Sequence, residues 1–316
     1  MLADNPAVAD CVLTLIAADR ILADGAAARL ADAVAGLSDM LRGLGAGVGT
    51  VEWLASARAC DISYDGLATD QADAGARRLL ATDFADLAVD IVVQPCAGRR
   101  KMLLVADMES TIIENEMLDE LAEFIGRRDE VSEITRQAMN GELDFAAALA
   151  ARVALLEGMQ IGRLEEAASR IRVMPGAPAL VATMRANGAY AALVSGGFGV
   201  FTRRVREALG FDCDVANELL VENGRLTGQV RQPILTREAK LAALKRLAAE
   251  RGLPLAASLA VGDGANDLPM IEAAGLGVAF RAKPLVTERA RVRIDRGDLT
   301  ALLYAQGYRD GEIVTR

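Results

Sequence analysis

The chain of 316 residues carries 35 basic and 44 acidic side chains, a net charge of -9, and no histidine. Without imidazole there can be no Ser-His-Asp triad, Cys-His nucleophile, phosphohistidine or His-ligated zinc, so acid–base work falls to Asp, Glu, Lys, Tyr or Cys. The four cysteines, Cys11, Cys60, Cys96 and Cys213, have no C-x-x-C spacing, which argues against a zinc cluster or a disulfide framework and fits a reducing cytosol.

The start, Met1-Leu-Ala-Asp-Asn-Pro6, lacks the basic region of a secretory signal. No apolar run approaches the roughly 18 residues of a membrane span. A cytoplasmic protein without a membrane partner is expected. Residues 1–98 hold 14 acids and 6 arginines, whereas 99–316 hold 30 acids and 29 bases. Neither part offers a basic stripe, so nucleic acid is not an expected partner.

Length predicts two domains, 1–98 and 99–316. In the first, Cys11–Ala17 reads as an apolar strand, and Asp24 to Arg42 has helical spacing through Leu30, Val34, Leu37 and Leu41. Short strands follow at Val51–Leu54 and Ala59–Tyr64, then a helix over Ala72–Phe84 and a closing strand at Leu87–Val93. Two βαβ-like passes in so short a stretch predict an α+β sandwich of ferredoxin-like type. No catalytic constellation falls in it, and Pro95–Arg100 reads as a linker.

The second domain alternates apolar strands (Met102–Ala106, Tyr190–Val194, Ser258–Val261, Leu276–Phe280 and an edge strand at Arg291–Ile294) with helices. That pattern predicts a doubly wound parallel sheet. Between its first two strands lies far more chain than one crossover helix needs. Helical periodicity runs there through Leu118–Phe124, Val131–Met139, Phe145–Leu156 and Leu164–Arg170. Such an insertion, about 117–172, should sit over the carboxyl edge of the sheet as a cap. Met174-Pro-Gly-Ala177 marks the return to the core.

Four segments carry chemistry. Asp107-Met-Glu-Ser-Thr111 places two acids just past an apolar strand, at the edge where open α/β folds build their sites. Taken alone, it also reads as a strand-to-helix turn with a Ser/Thr cap. In Val194-Ser-Gly-Gly-Phe198, Ser195 can donate to a phosphate oxygen and Gly196 lets a backbone N–H approach an anion. An ordinary turn would look the same. Lys240 lies in a helical stretch, Arg237–Arg251, in a chain with only four lysines against 31 arginines. A solvated surface lysine is the plain reading of it. Gly262-Asp-Gly-Ala-Asn-Asp267 is the strongest signal, a tight acidic turn of the kind that holds Mg²⁺ through carboxylates.

In that order, D-x-E-S-T, S-G-G, Lys and G-D-G-x-N-D resemble the haloacid dehalogenase superfamily of phosphohydrolases. More narrowly, the stretch from Asp107 onward, about two-thirds of the chain, resembles its phosphoserine phosphatase family. Glu114-Asn-Glu-Met-Leu-Asp-Glu-Leu-Ala122, Met139-Asn-Gly-Glu-Leu-Asp-Phe145 and Arg152-Val-Ala-Leu-Leu-Glu-Gly158 carry the resemblance through the cap. It implies a Rossmann-like three-layer parallel sheet with a helical cap. The first domain resembles the ACT-like module of bacterial members in architecture only.

The resemblance implies Mg²⁺-dependent hydrolysis of O-phospho-L-serine to L-serine and phosphate. Asp107 would be the nucleophile that forms an aspartyl-phosphate, and Glu109 the general acid/base. Mg²⁺ would be held by Asp107, the Glu109 backbone carbonyl and Asp263, with Asn266 and Asp267 orienting that shell. Lys240, Ser195 and the Gly196 N–H would bind the phosphoryl oxygens, with Asn266 beside them. Arg152 would pair with the substrate carboxylate and Glu116 accept from its ammonium, while Met139 and Phe145 close the cap against water. Whether the chain forms a homodimer stays open. Two positions depart from the family: Glu109 stands where D-x-D has its second Asp, and Ala150 where arginine is common. Phosphoserine:homoserine phosphotransferases carry D-x-E, so phosphotransfer to homoserine is the nearest alternative. A phosphatase for another small phosphomonoester is another, and a catalytically weak amino-acid sensor a third.

Overall fold

The computed structural model describes residues 10–18, 24–139 and 142–315, apart from the side chains of residues 24–26, 139, 145 and 237. The Met1–Pro6 reading therefore lies outside the described residues, as do the side chains of Met139 and Phe145. The chain divides into two units, Met1–Arg100 with Ile294–Ile313 and Lys101–Arg293 with Val314–Arg316.

The first unit runs β1 (Cys11–Ala17), α1 (Asp24–Gly43), β2 (Gly47–Ala55), β3 (Ala59–Asp65), α2 (Thr69–Asp83) and β4 (Val89–Pro95). Its antiparallel sheet has the order β2-β3-β1-β4, the βαββαβ topology of the ferredoxin-like class. Alternation along β1 and β3 sends Leu13, Leu15, Cys60, Ile62 and Tyr64 to one face, where Leu30, Leu37 and Leu41 of α1 join them in a core. The opposite face carries the buried polar residues Thr14, Asp61, Asp90 and Gln94 among the apolar Val12, Ile16, Ala59 and Val92. Asp61 takes Arg99 bidentately at 2.7 and 3.1 Å and accepts from Thr14 at 2.7 Å. Gln94 donates to the Ala305 carbonyl at 2.6 Å, and Asp90 accepts from the backbone N–H groups of Asp295, Arg296 and Gly297.

Residues 294–313 are thus part of this unit, whereas the sequence boundary places them in the second. The cause is physical: Asp90 and Gln94 of β4 bond the backbone of this returning segment instead of water, and Arg99, which holds Asp61, donates to its Tyr304 and Ala305 carbonyls. Within it a short helix, Ala301–Ala305, buries Leu302, Leu303 and Tyr304.

The second unit starts with β5 (Leu103–Ala106), followed by α3 (Met117–Glu123), α4 (Arg128–Met139), α5 (Phe145–Ala154), α6 (Gly162–Ser169) and α7 (Ala177–Ala186). It continues with β6 (Tyr190–Phe198), α8 (Gly199–Leu209), β7 (Cys213–Asn217), a hairpin of β8 (Leu219–Glu222) and β9 (Arg225–Val230), and α9 (Arg237–Glu250). The last elements are β10 (Ser258–Gly262), α10 (Leu268–Ala273), β11 (Leu276–Phe280), α11 (Pro284–Arg289) and β12 (Val292–Ile294). The six-stranded sheet has the order β12-β11-β10-β5-β6-β7, with parallel pairing from β11 through to β7. All four residues of β5 are fully buried, as expected for a parallel strand covered on both faces.

β7 and the β8–β9 hairpin have no counterpart among the sequence-based strands. Cys213-Asp-Val-Ala-Asn217 mixes polar with apolar residues, which hides β7. The hairpin did leave a signal, the dipeptide Asn223-Gly224, whose φ values of 50° and 74° make the two-residue turn that suits a twisted hairpin. The hairpin braces the cap: Gly158 N–H donates to the Leu226 carbonyl at 2.9 Å, and Leu226 N–H returns a bond to Met159 at 2.8 Å. The two chain segments joining cap to core run side by side, through Glu114 N–H to Arg172 O at 2.8 Å and Met174 N–H to Ile112 O at 2.9 Å. Among the described residues no helix is long and apolar enough to cross a membrane.

Candidate active site

Three neighbouring strands bring the chemical groups together. Asp107 follows β5, its N–H bonded to Val261 O at 3.0 Å, Asp263 follows β10, and Ser195 lies near the carboxyl end of β6. All three side chains are buried.

Lys240, in the second turn of α9, points into this edge and is only 3% exposed. Its Nζ stands 2.7 Å from Asp107 Oδ1 and 2.6 Å from Asp267 Oδ1. The second Asp267 oxygen accepts from the N–H groups of Asp263 and Gly264 at 3.2 and 3.0 Å. Both oxygens of Asp267 are therefore engaged by the protein. Asp263 differs: Oδ1 has the Thr111 hydroxyl at 3.5 Å, but Oδ2 is buried without a hydrogen-bond partner among the described residues, and Lys283 Nζ is 3.9 Å away. Oxygens of Asp107, Asp263 and Asp267 lie within 4.8 Å of one another, a cluster able to hold a metal ion.

Burial, then the Asp267 charge, pushes the Asp107 carboxyl well above the ordinary range, with Lys240 opposing. Asp263 is pushed up to about 8, first by burial and then by Asp267 and Glu116. For Lys240, burial pulls downward, but Asp107 and Asp267 outweigh it and hold the ammonium above its usual range. Carboxylates outnumber cations here, and the orphaned Asp263 oxygen marks where positive charge is wanted.

Above the edge opens a cavity of about 400 Å³, lined among others by Asp107, Glu109, Glu116, Arg152, Gly196 and Asn266. Ser195 and Lys240 line a smaller recess beside it that shares Gly196 and Asn266. Ser195 Oγ accepts from Gly197 N–H at 2.9 Å, which leaves its own proton free to donate. Glu109 Oε1 accepts from the N–H of Met117, the first residue of α3, at 2.8 Å. A Cβ built on Gly197 would lie 2.8 Å from Glu109 Oε2, so a larger residue there would displace this carboxyl from its place. Burial raises Glu109 to about 7 against the pull of the Met117 N–H. Glu116 accepts from Ser110 Oγ at 2.7 Å and is raised to about 8, by burial first and Glu109 next. Arg152 is buried in the cap, its Nη1 2.7 Å from Thr135 Oγ1 and its Nε 3.2 Å from Ala148 O. Burial lowers its pKa against the attraction of Glu109, Glu116 and Asp119.

Every described side chain named from the sequence thus lies around this one edge or its cavity. Four others were not foreseen. Thr135 contacts Arg152, Ser110 contacts Glu116, and Thr111 approaches Asp263. Asn217 is buried, donating to Gly196 O and accepting from Leu235 N–H, both at 2.8 Å. Thr135 sits one turn after Val131 on the inner face of α4, a polar residue in an apolar stripe. That was the available sign.

Residues 104–272 match the haloacid dehalogenase-like hydrolase family. A phosphoserine phosphatase from Streptomyces coelicolor is 44% identical over 239 residues, 75% of this chain and 58% of that protein. The chain spans 66% of the length of another, from Archaeoglobus fulgidus, at 44% identity over 72% of its own length. Among solved structures, a HAD family hydrolase from Salmonella enterica serovar Typhi superposes with a TM-score of 0.78 at 27% identity, covering 93% of this chain and 97% of that one. A phospho-aspartyl intermediate analogue of a phosphoserine phosphatase gives a TM-score of 0.63 at 40% identity, with 65% and 98% covered.

Proposed function

Since the chain belongs to the haloacid dehalogenase-like hydrolase family, we propose that it hydrolyses O-phospho-L-serine to L-serine and phosphate through an aspartyl-phosphate on Asp107. One observation carries the reading. Asp107, paired with the buried Lys240 at 2.7 Å, lines the same cavity as Arg152 and Glu116, which supply a cation for a carboxylate and an anion for an ammonium.

Asp107 Oδ1 is held by Lys240 Nζ and by the Met108 N–H at 2.8 Å, so the carboxylate is fixed before substrate arrives. Its attack on phosphorus forms a P–O bond to the carboxylate and breaks the bond to the serine oxygen. Glu109 delivers a proton to that leaving oxygen and then takes one from the water that hydrolyses the acyl-phosphate. The Lys240 ammonium, the Ser195 hydroxyl and the Gly196 N–H answer the charge on the equatorial phosphoryl oxygens. Arg152 receives the α-carboxylate and Glu116 the ammonium.

The donor set fits Mg²⁺: hard oxygens only, from carboxylates and a backbone carbonyl, one of them the orphaned Asp263 Oδ2. Asp107, Asp263 and the Glu109 backbone carbonyl would hold the ion, while Asp267, with both oxygens engaged, orients Lys240 and the Asp263 turn. When bound, the ion neutralises phosphate charge so that an anionic carboxylate can approach.

A second reading follows from Glu109, the D-x-E signature of a phosphotransferase. One experiment tests both. The chain is incubated with O-phosphoserine and excess homoserine, with Mg²⁺ or with EDTA, and free phosphate and phosphohomoserine are measured. Mainly free phosphate, dependent on Mg²⁺, is expected. Phosphohomoserine as the dominant product makes it a transferase, and no turnover of O-phosphoserine sinks both readings.

A further inference from the structure

Arg152 is the cation placed to read the substrate carboxylate, yet no carboxylate among the described residues lies within ion-pair distance of it. Its recorded partners are neutral: the Ala148 carbonyl at 3.2 Å from Nε and the Thr135 hydroxyl at 2.7 Å from Nη1. Thr135 is 5% exposed on α4 and, like Arg152, lines the cavity. A hydroxyl has one proton; Thr135 faces the Val131 carbonyl at 2.9 Å and the Asp119 carboxylate, both acceptors, while the Arg152 guanidinium is a donor only. Toward Arg152 it can therefore only accept.

From this we propose that Thr135 is a positioning residue for substrate selection, which aims the Arg152 guanidinium at the carboxylate of an amino-acid phosphomonoester without neutralising it. The proposal rests on the phosphoserine reading above. A planar guanidinium tethered at two of its nitrogens has its plane fixed, and Nη2 has no acceptor among the described residues. An acidic partner would hold the group as firmly but would cancel its charge and compete with the incoming carboxylate. A hydroxyl orients it and leaves the charge for the ligand. Ordering such a side chain in advance removes part of the entropy that binding would otherwise have to overcome. The plain alternative is that Thr135 only fills the contact between α4 and α5.

The two separate by experiment. Thr135→Val keeps the shape and removes the acceptor, and Thr135→Ser keeps the acceptor. kcat and KM are measured for O-phospho-L-serine and for p-nitrophenyl phosphate, which has no α-carboxylate, with L-serine as competitive inhibitor. Thr135→Val should lower kcat/KM for O-phosphoserine by about 10- to 100-fold, chiefly through KM, the scale of losing a charge-assisted contact. L-serine inhibition should weaken in parallel, p-nitrophenyl phosphate should change by less than about threefold, and Thr135→Ser should restore O-phosphoserine turnover. In an Arg152→Ala background, Thr135→Val should add almost nothing, because it acts through Arg152. Equal losses on both substrates, or an additive effect in that background, would make Thr135 merely structural and overturn the proposal. So would an unchanged KM for O-phosphoserine. If Thr135→Val does not fold, Thr135→Ala carries the same comparisons. A wild-type protein that fails to hydrolyse O-phosphoserine refutes the function itself, whereas active wild type with an indifferent Thr135→Val refutes only this inference.

Discussion

Lys240→Met isolates the electrostatics of the site. The ammonium is buried and bonded to Asp107 at 2.7 Å and Asp267 at 2.6 Å. Methionine preserves most of the volume, so the cost is that of leaving Asp107, Asp263 and Asp267 together without their cation. Their oxygens lie within 4.8 Å of one another. Two unit charges at that distance repel by about 3.5 kcal/mol at an effective dielectric of about 20. Removing one partner of a buried ion pair costs about 3–5 kcal/mol by experience with other proteins. We therefore expect the second unit to lose about 3–5 kcal/mol of stability in EDTA, and less in Mg²⁺, which answers the same carboxylates. Urea unfolding followed by far-UV circular dichroism measures this. Trp53, the sole tryptophan, lies on β2 of the first unit, so its fluorescence transition is an internal control that should not move. In parallel, kcat should fall by at least about 10²–10³-fold for loss of a charge-stabilising donor. A stability loss below about 1 kcal/mol in EDTA would show that Lys240 does not neutralise this cluster.

Asp107→Asn should leave the fold intact and retain less than about 1% of turnover, since an amide cannot form the acyl-phosphate; higher residual activity without deamidation would rule out the covalent route. Glu109→Asp should reduce activity modestly despite restoring D-x-D, because the shorter side chain loses the Met117 N–H at 2.8 Å, and a steady-state assay that finds it faster than wild type would contradict this. A chain cut to 99–316 should aggregate, because it keeps Leu302, Leu303 and Tyr304 but lacks the sheet of their unit. The segment 101–293 should instead stay soluble and hydrolyse phosphomonoesters, and light scattering with phosphate release compares the two. Burial pushes the Cys60 thiol up to about 12 from 9.0, so it stays neutral between those values while an unfolded thiol ionises, and stability should fall as pH rises through that window. Iodoacetamide at pH near 9 should accordingly label the partly exposed Cys11, Cys96 and Cys213 before Cys60, as read by peptide mass spectrometry.

Part of the candidate site was legible because its groups sit directly after apolar runs: Asp107 after β5, Asp263 after β10. Ser195 closes the Tyr190–Val194 run in the same way. A period-independent apolar strand followed by Gly, Ser or Asp is a local signal, and parallel topology then gathers such strand ends without further information. What was not legible depends on partners distant in sequence. Asp90 and Gln94 read as ordinary polar positions in a strand, and only the return of residues 294–313 explains their burial; Asp61 is answered by Arg99, 38 positions away. Asn217 is silent, because a single amide has no periodicity, and Thr135 leaves only a polar break in the apolar stripe of α4; the meaning of each lies in what it touches.

Glu109 shows how spacing and environment can pull apart. From the sequence, its extra methylene should carry the carboxyl about 1.5 Å farther out than the family's aspartate. In the structure, that length is used to reach the start of the cap: Oε1 bonds the Met117 N–H, and Oε2 occupies space left by the missing side chain of Gly197. The proposed proton carrier is thereby tied at once to the first residue of α3 and to the exit of β6. An aspartate would keep its position through the loop that holds Asp107, whereas this glutamate takes its position partly from the cap. Any acceptor that enters beside it must fit a carboxylate whose place depends on where α3 begins. The choice between water and an alcohol thus becomes a property of the cap seating as much as of residue 109, which is why the homoserine competition, and not the D-x-E signature, decides the acceptor.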